Sequence, residues 1–251
     1  MKPTRARVYW EEAAWPWRAA AILIALDIAG LAGARFVVGW DVHGQSRFDG
    51  SDPVMAIVGN WSVVTRALLA LTFAMYFLGR GVPPRAFGLT RSCFRRRTVE
   101  FGKSLAVILP LAAGFLMIGV LLYRAAGRRD DISAPMTFGG SGQVWPWIWI
   151  FVVTLPIVEG FLYRGILHPV LRRHMGVGGA VAIGGMTFGL LHWFYGIDLA
   201  ALTAYALGGA ALAWVYERTG SLFFPWLLHV ATNLAGLWTS LHPGLFEALR
   251  T

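Results

Sequence analysis

Seven stretches of this chain are apolar for long enough to cross a hydrocarbon layer, and nothing else in the sequence constrains its fold so tightly. A membrane helix needs about 20 mostly apolar residues. Runs at roughly 18–38, 54–79, 104–123, 145–168, 177–194, 199–216 and 222–240 meet that need. Inside a bilayer each backbone polar group must be paired within the protein, so isolated apolar runs of this length are helices. The expected fold is therefore all-α, a polytopic bundle of about seven transmembrane helices. Composition agrees: 57% of residues are hydrophobic before the 30 glycines are added, and only 14% are charged. An average soluble domain, counted with glycine, is about 45–50% apolar and about 25% charged. A soluble domain, a disordered chain and a disulfide scaffold are excluded on that arithmetic. The first run carries Asp27 and Arg35 and lacks a small-residue cleavage site, so it is read as a span and not as a cleavable signal peptide.

Turn residues mark the joints. Asp49-Gly-Ser-Asp-Pro53 precedes the second run, Gly139-Gly-Ser-Gly142 the fourth, and Thr219-Gly-Ser221 separates the sixth from the seventh. No repeat and no soluble domain interrupts them. The net charge of +9 would suggest nucleic acid in a soluble protein. Here the charges lie between apolar runs and act as topology signals, so no nucleic-acid partner is expected. With the N-terminus in the cytoplasm, inside loops hold fifteen Lys and Arg residues and outside loops five. That split favours a cytoplasmic N-terminus. Twelve tryptophans gather near span ends, as in Trp145-Pro-Trp147-Ile-Trp149, which is the pattern of an interfacial belt. Cys93 is the only cysteine, so an internal disulfide and a cysteine metal site are both ruled out.

Ionisable groups inside apolar runs are costly and need a reason. Asp27, Arg35 and Arg66 in the early runs share no recognised spacing, and a buried ion pair between neighbouring helices is the expectation. The later runs differ. The fourth contains Glu159, Tyr163 and Arg164, the fifth ends in Phe188-Gly-Leu-Leu-His192, and the seventh contains His229 and Asn233. With a turn near Gly176, Glu159 lies seventeen residues before it and His192 sixteen after it. At about 1.5 Å per residue both reach a depth of about 25 Å. His229 and Asn233 are four residues apart and share a helical face. Gly185 and Gly189 share the face of His192 and allow a neighbouring helix to come close. Tyr163, four residues after Glu159, is placed to hydrogen-bond its carboxylate. Arg164 falls about 140° away around an α-helix, where it pins the helix end or binds a substrate carboxylate.

These motifs resemble those of the CPBP family of intramembrane proteases, which includes the CAAX prenyl endopeptidases and bacteriocin-processing relatives. That family shows Glu-Glu-x-x-x-Arg, then Phe-x-x-x-His, then His-x-x-x-Asn or Asp, on successive membrane helices. Here Glu159 and Arg164, Phe188 and His192, and His229 and Asn233 follow in that order and spacing. Gly160 replaces the second glutamate. Glu11-Glu12, the only Glu-Glu pair, lacks the arginine and is a decoy. The resemblance divides the chain into N-terminal membrane helices without a catalytic motif (1–140) and a CPBP/CAAX protease-like core (141–251).

The resemblance implies an intramembrane endopeptidase acting on a membrane-associated protein, such as a prenylated or C-terminal tail substrate. Glu159 would activate water, His192 would orient it, and His229 with Asn233 would stabilise the oxyanion. Tyr163, Arg164 and Phe188 would support them. Family members have been described as metalloproteases and as glutamate proteases. A metal form would bind Zn²⁺ through His192, His229 and Glu159. Two histidines without His-Glu-x-x-His favour the form that needs no cofactor. The alternative function is an inactive scaffold or immunity-type peptide-binding protein. A transporter would need polar residues spread along a pathway, whereas these are focused in one layer. The expected partners are the lipid bilayer and a peptide or protein substrate. Arginine outnumbers lysine twenty to two, which fits a GC-rich bacterial genome and hence a bacterial inner membrane.

Overall fold

The computed structural model describes residues 17–38, 61–90, 94–125, 148–195 and 199–241. All regular structure among them is helical. The α-helices are α1 (Trp17–Val38), α2 (Trp61–Gly79), α3 (Phe94–Ala125), α4 (Leu155–Glu159), α5 (His168–Leu191), α6 (Leu199–Thr219) and α7 (Phe223–Leu241). Two π-helical stretches, Ile148–Thr154 and Gly160–Leu167, flank α4 and make 148–191 one continuous helical path. The Glu-Glu decoy at 11–12, Cys93, residues 126–147 and the side chain of Arg35 lie outside the described residues.

The path 148–191 is bent back on itself at Gly176. Its φ of 72° and ψ of −172° break the helix where the sequence places the joint between the fourth and fifth runs. A side chain is disfavoured at positive φ, and glycine is the residue that accepts it. Helices therefore cover part or all of every expected run. By length and hydropathy, one described helical run, Val152–Phe194, qualifies to cross a membrane, and Val63–Gly79 is a shorter apolar helix. Large apolar side chains nevertheless face outward along several helices, among them Leu68, Leu71 and Met75 on α2 and Leu109 and Leu111 on α3. Outward apolar surface of this extent is unusual for a soluble monomer and fits contact with lipid.

The tightest packing joins the second arm of α5 to α6. A Cβ on Gly185 would sit 2.7 Å from the Ala206 carbonyl oxygen, and one on Gly189 would sit 2.8 Å from the Ala206 nitrogen. The two backbones touch where these glycines face α6, as the Gly-xxx-Gly spacing predicts. The reverse contact comes from α6, where a Cβ on Gly209 would meet Phe188 at 2.8 Å. Around this pair a core of Leu23 and Leu31 (α1), Phe73 and Phe77 (α2), Leu162, Ile166 and Phe188 closes the bundle.

At one end, the N-terminus of α3 is tied to the turn between α6 and α7. Arg97 donates to the carbonyls of Thr219 at 2.8 Å and Gly220 at 2.5 Å. The preceding connector joins the same turn through a Leu222 N–H to Gly88 carbonyl bond of 3.1 Å. The Arg97 bonds satisfy carbonyls that the end of α6 leaves open. A second link, absent from the sequence reading, has Glu217 on α6 holding both His168 (3.2 Å) and Arg172 (2.9 Å) of α5.

Candidate active site

Glu159 closes α4, immediately before the π-helical stretch that begins at Gly160. π-Helical turns are rare and are often found at functional sites. The wider register also changes the relation of Glu159 to Arg164. In an i→i+5 turn, residues five apart return toward the same side, so the 140° separation of an ideal α-helix does not apply. Arg164 is buried within the same π-helical stretch. Its guanidinium lies 4.7 Å from the Phe188 ring centre and 3.4 Å from the Gly209 carbonyl.

Three of the four expected catalytic residues converge. Glu159, His192 and His229 are all buried. His229 Nε2 lies 3.8 Å from Glu159 Oε2. That oxygen has no hydrogen-bond partner among the described residues. Phe188 forms the floor between them, with its ring 4.6 Å from that of His192 and 5.8 Å from that of His229. His192 Nδ1 is 2.6 Å from the Phe188 carbonyl. A carbonyl only accepts, so Nδ1 carries the proton and Nε2 keeps a lone pair. Tyr205 stacks on the His192 ring with the ring centres 4.2 Å apart, a contact that no motif announced. Asn233 sits one turn beyond His229 on α7 and is half-buried.

The other oxygen of Glu159 is held from the N-terminal helices. Arg66 on α2 donates from Nη1 to Glu159 Oε1. The same guanidinium binds Asp27 on α1, with Nε 2.8 Å from Oδ1 and Nη2 3.3 Å from Oδ2. The expected ion pair between early helices is therefore formed by Asp27 and Arg66, and it extends to Glu159. The Tyr163 hydroxyl donates to Asp27 and accepts from Arg66 Nη2 at 3.3 Å. This corrects the expectation that Tyr163 bonds Glu159: its ring stands edge-on to Phe188, which directs the hydroxyl toward α1. Intramembrane charge had flagged Asp27 and Arg66, but separations of 39 and 93 residues carry no spacing that would link them to each other or to Glu159. Deleting one member of such a buried network leaves an uncompensated charge, at a cost of about 3–5 kcal/mol.

Among the described residues, no three His, Cys, Asp or Glu side chains are grouped to hold a metal ion. Arg66 occupies Glu159 Oε1 and the Phe188 carbonyl occupies His192 Nδ1, so a metal form would have to use Glu159 Oε2 and His192 Nε2.

Residues 141–235 match a family model described as Rce1-like, Type II CAAX prenyl endopeptidase Rce1-like. No curated protein and no solved structure matches the chain. The matched segment contains Glu159, Arg164, Phe188, His192, His229 and Asn233, and ends two residues beyond the last of them. Over residues 141–235 the chain is thus similar to the Rce1-like, type II CAAX prenyl endopeptidases.

Proposed function

We propose that the protein is an intramembrane endopeptidase of glutamate type that hydrolyses a peptide bond in a membrane-associated protein. The observation that carries this reading is Glu159 Oε2, a buried oxygen that faces His229 Nε2 and has no hydrogen-bond partner among the described residues. A general base needs a free acceptor within reach of the proton it takes. Water placed against Oε2 gives its proton to Glu159 while its oxygen attacks the scissile carbonyl carbon. His192 Nε2 accepts the second hydrogen of that water and orients it. His229 and Asn233, on one face of α7, donate to the developing oxyanion. Collapse of the tetrahedral intermediate breaks the C–N bond, and the proton held by Glu159 passes to the leaving amine. No step is routed through a metal.

The family match supports, as the substrate class of this reading, a prenylated C-terminal peptide or another membrane-anchored tail. The remaining parts of the reading are seven crossings, a cytoplasmic N-terminus and a bacterial inner membrane. A second reading, a scaffold or immunity-type protein that binds peptide without cutting it, is favoured by one observation. Gly160 stands where the family has its second glutamate.

The test uses the full chain in liposomes with a quenched-fluorescent farnesylated C-terminal peptide. Protein C-termini are also mapped in cells with and without the gene. Cleavage by the wild type, lost in Glu159→Ala and His192→Ala variants that still insert, is the expected result. Retained cleavage in both variants would refute the catalytic assignment. Insensitivity to zinc chelators is expected, and a chelator-reversible loss of activity would favour the metal form.

A further inference from the structure

Asp27 and Arg66 lie outside residues 141–235, yet both are built into the site. Arg66 is 1% exposed. A helix-packing ion pair would be complete with the two bonds from Arg66 to Asp27. The guanidinium makes further bonds, among them one to Tyr163 and one to Glu159. A guanidinium is a planar fork whose donors point in fixed directions. Gripped by Asp27 along one edge and by Tyr163 at Nη2, it cannot turn, so the direction of Nη1 is set. Nη1 fixes Glu159 Oε1, and a carboxylate with one oxygen fixed has little freedom left in the other. Oε2 is thereby aimed at the space beside His229.

Charge leads to the same place. Glu159 and Asp27 are two buried carboxylates, and Arg66 and Arg164 two buried guanidiniums. The site thus contains a second carboxylate although position 160 is glycine. It comes from α1, and a Cβ at Gly160 would meet nothing within 4 Å.

We propose that Arg66 is a positioning residue for Glu159, braced by Asp27, so that α1 and α2 complete a site whose reacting groups all lie in the matched segment. The proposal rests on the reading of Glu159 as the base.

The experiment compares wild type, Arg66→Gln, Arg66→Lys, Asp27→Asn and Glu159→Gln, each as the full chain in liposomes. Two readouts are used. One is steady-state cleavage of the farnesylated peptide. The other is the isotope-edited infrared carboxylate band of ¹³C-labelled glutamate, assigned to Glu159 by its loss in Glu159→Gln. Arg66→Gln is expected to lower kcat roughly 100-fold with KM within about twofold, the signature of a misaimed group. Arg66→Lys keeps the charge but not the fork, so it should recover only part of kcat. Asp27→Asn should lower kcat roughly tenfold by loosening the brace. The Glu159 band should move in all three. An unmoved band with kcat within about twofold of wild type in Arg66→Gln would overturn the proposal. If Arg66→Gln does not fold, Arg66→Lys and Asp27→Asn decide by the same criteria. If the wild type itself does not cleave the peptide, the enzymatic reading fails, and the infrared band still tests whether Arg66 positions Glu159.

Discussion

Glu159 Oε2 and His229 Nε2 face each other at 3.8 Å, from the end of α4 and the middle of α7. The separation exceeds a hydrogen bond, so the two groups are neighbours across a gap and not a bonded pair. In the proposed mechanism that gap is where the charge of the tetrahedral intermediate develops. His229→Ala is expected to lower kcat by roughly 10²–10³-fold, the scale of one lost oxyanion donor. KM should change little. A kcat within about fivefold of wild type would remove His229 from the chemistry.

The α5–α6 contact predicts a sharp difference among glycines. Gly189→Val would drive a side chain into the Ala206 backbone, where even a Cβ lies 2.8 Å from the nitrogen. Overpacking of this kind costs about 1–3 kcal/mol. It also moves His192, three residues on. Thermal unfolding in detergent should show a lower Tm, and residual folded protein should show reduced kcat. An unchanged Tm would mean that the two helices are not packed this closely.

Gly160 should behave in the opposite way. Its φ of −55° and ψ of −46° are helical, and a Cβ there meets open space. Gly160→Ala is expected to stabilise the fold by about 0.4–1 kcal/mol, through lost freedom of the unfolded chain. Gly176→Ala, at a φ of 72°, should destabilise it by about 1–2 kcal/mol. Tm measurements on both variants check the pair, and the same sign of shift in both would contradict the helix break at Gly176.

Tyr205 gives a test of His192 orientation. Its ring stacks on the imidazole at 4.2 Å with a 23° tilt. Tyr205→Phe keeps the stack and should preserve kcat. Tyr205→Ala removes it and should lower kcat roughly tenfold or more, because a misplaced catalytic group loses rate steeply. Equal kinetics in the two variants would assign Tyr205 to packing alone.

Near the N-terminus of α3, Glu100 accepts from Lys103 at 3.0 Å and Arg218 at 2.5 Å. The Lys103 hydrogen bond, with the Arg218 charge beside it, holds this carboxyl below its ordinary value. A depressed carboxylate contributes stability above its unfolded value and loses it as pH falls through the folded one. The pair is largely solvated, so the contribution is under about 1 kcal/mol. Tm should fall slightly more on acidification in wild type than in Arg218→Ala, and identical pH dependence would show that the bridge contributes nothing.

Much of this molecule was legible in one dimension. Apolar runs located the helices, because a helix is a local structure with a period that a sequence displays. Gly176 was readable as the bend, and Gly185 with Gly189 as the close approach, since each requirement belongs to a single residue or one helical face. Glu159, His192 and His229 were legible because a polar side chain in an apolar run is an exception that needs a reason. The π-helical turn after Glu159 was not legible, since nothing in Gly160–Leu167 distinguishes that register from an α-helix. Tyr163 was misdirected for the same reason: helical spacing gave its neighbour but not the direction of its hydroxyl.

The sequence by itself determined an all-helical, strongly apolar chain and the residue types of one polar centre. Only the tertiary structure decided how that centre is held. Arg66 reaches Glu159 across 93 residues and Asp27 across 39. Such contacts leave no periodic trace, because they depend on how three helices pack and not on the spacing within any one of them.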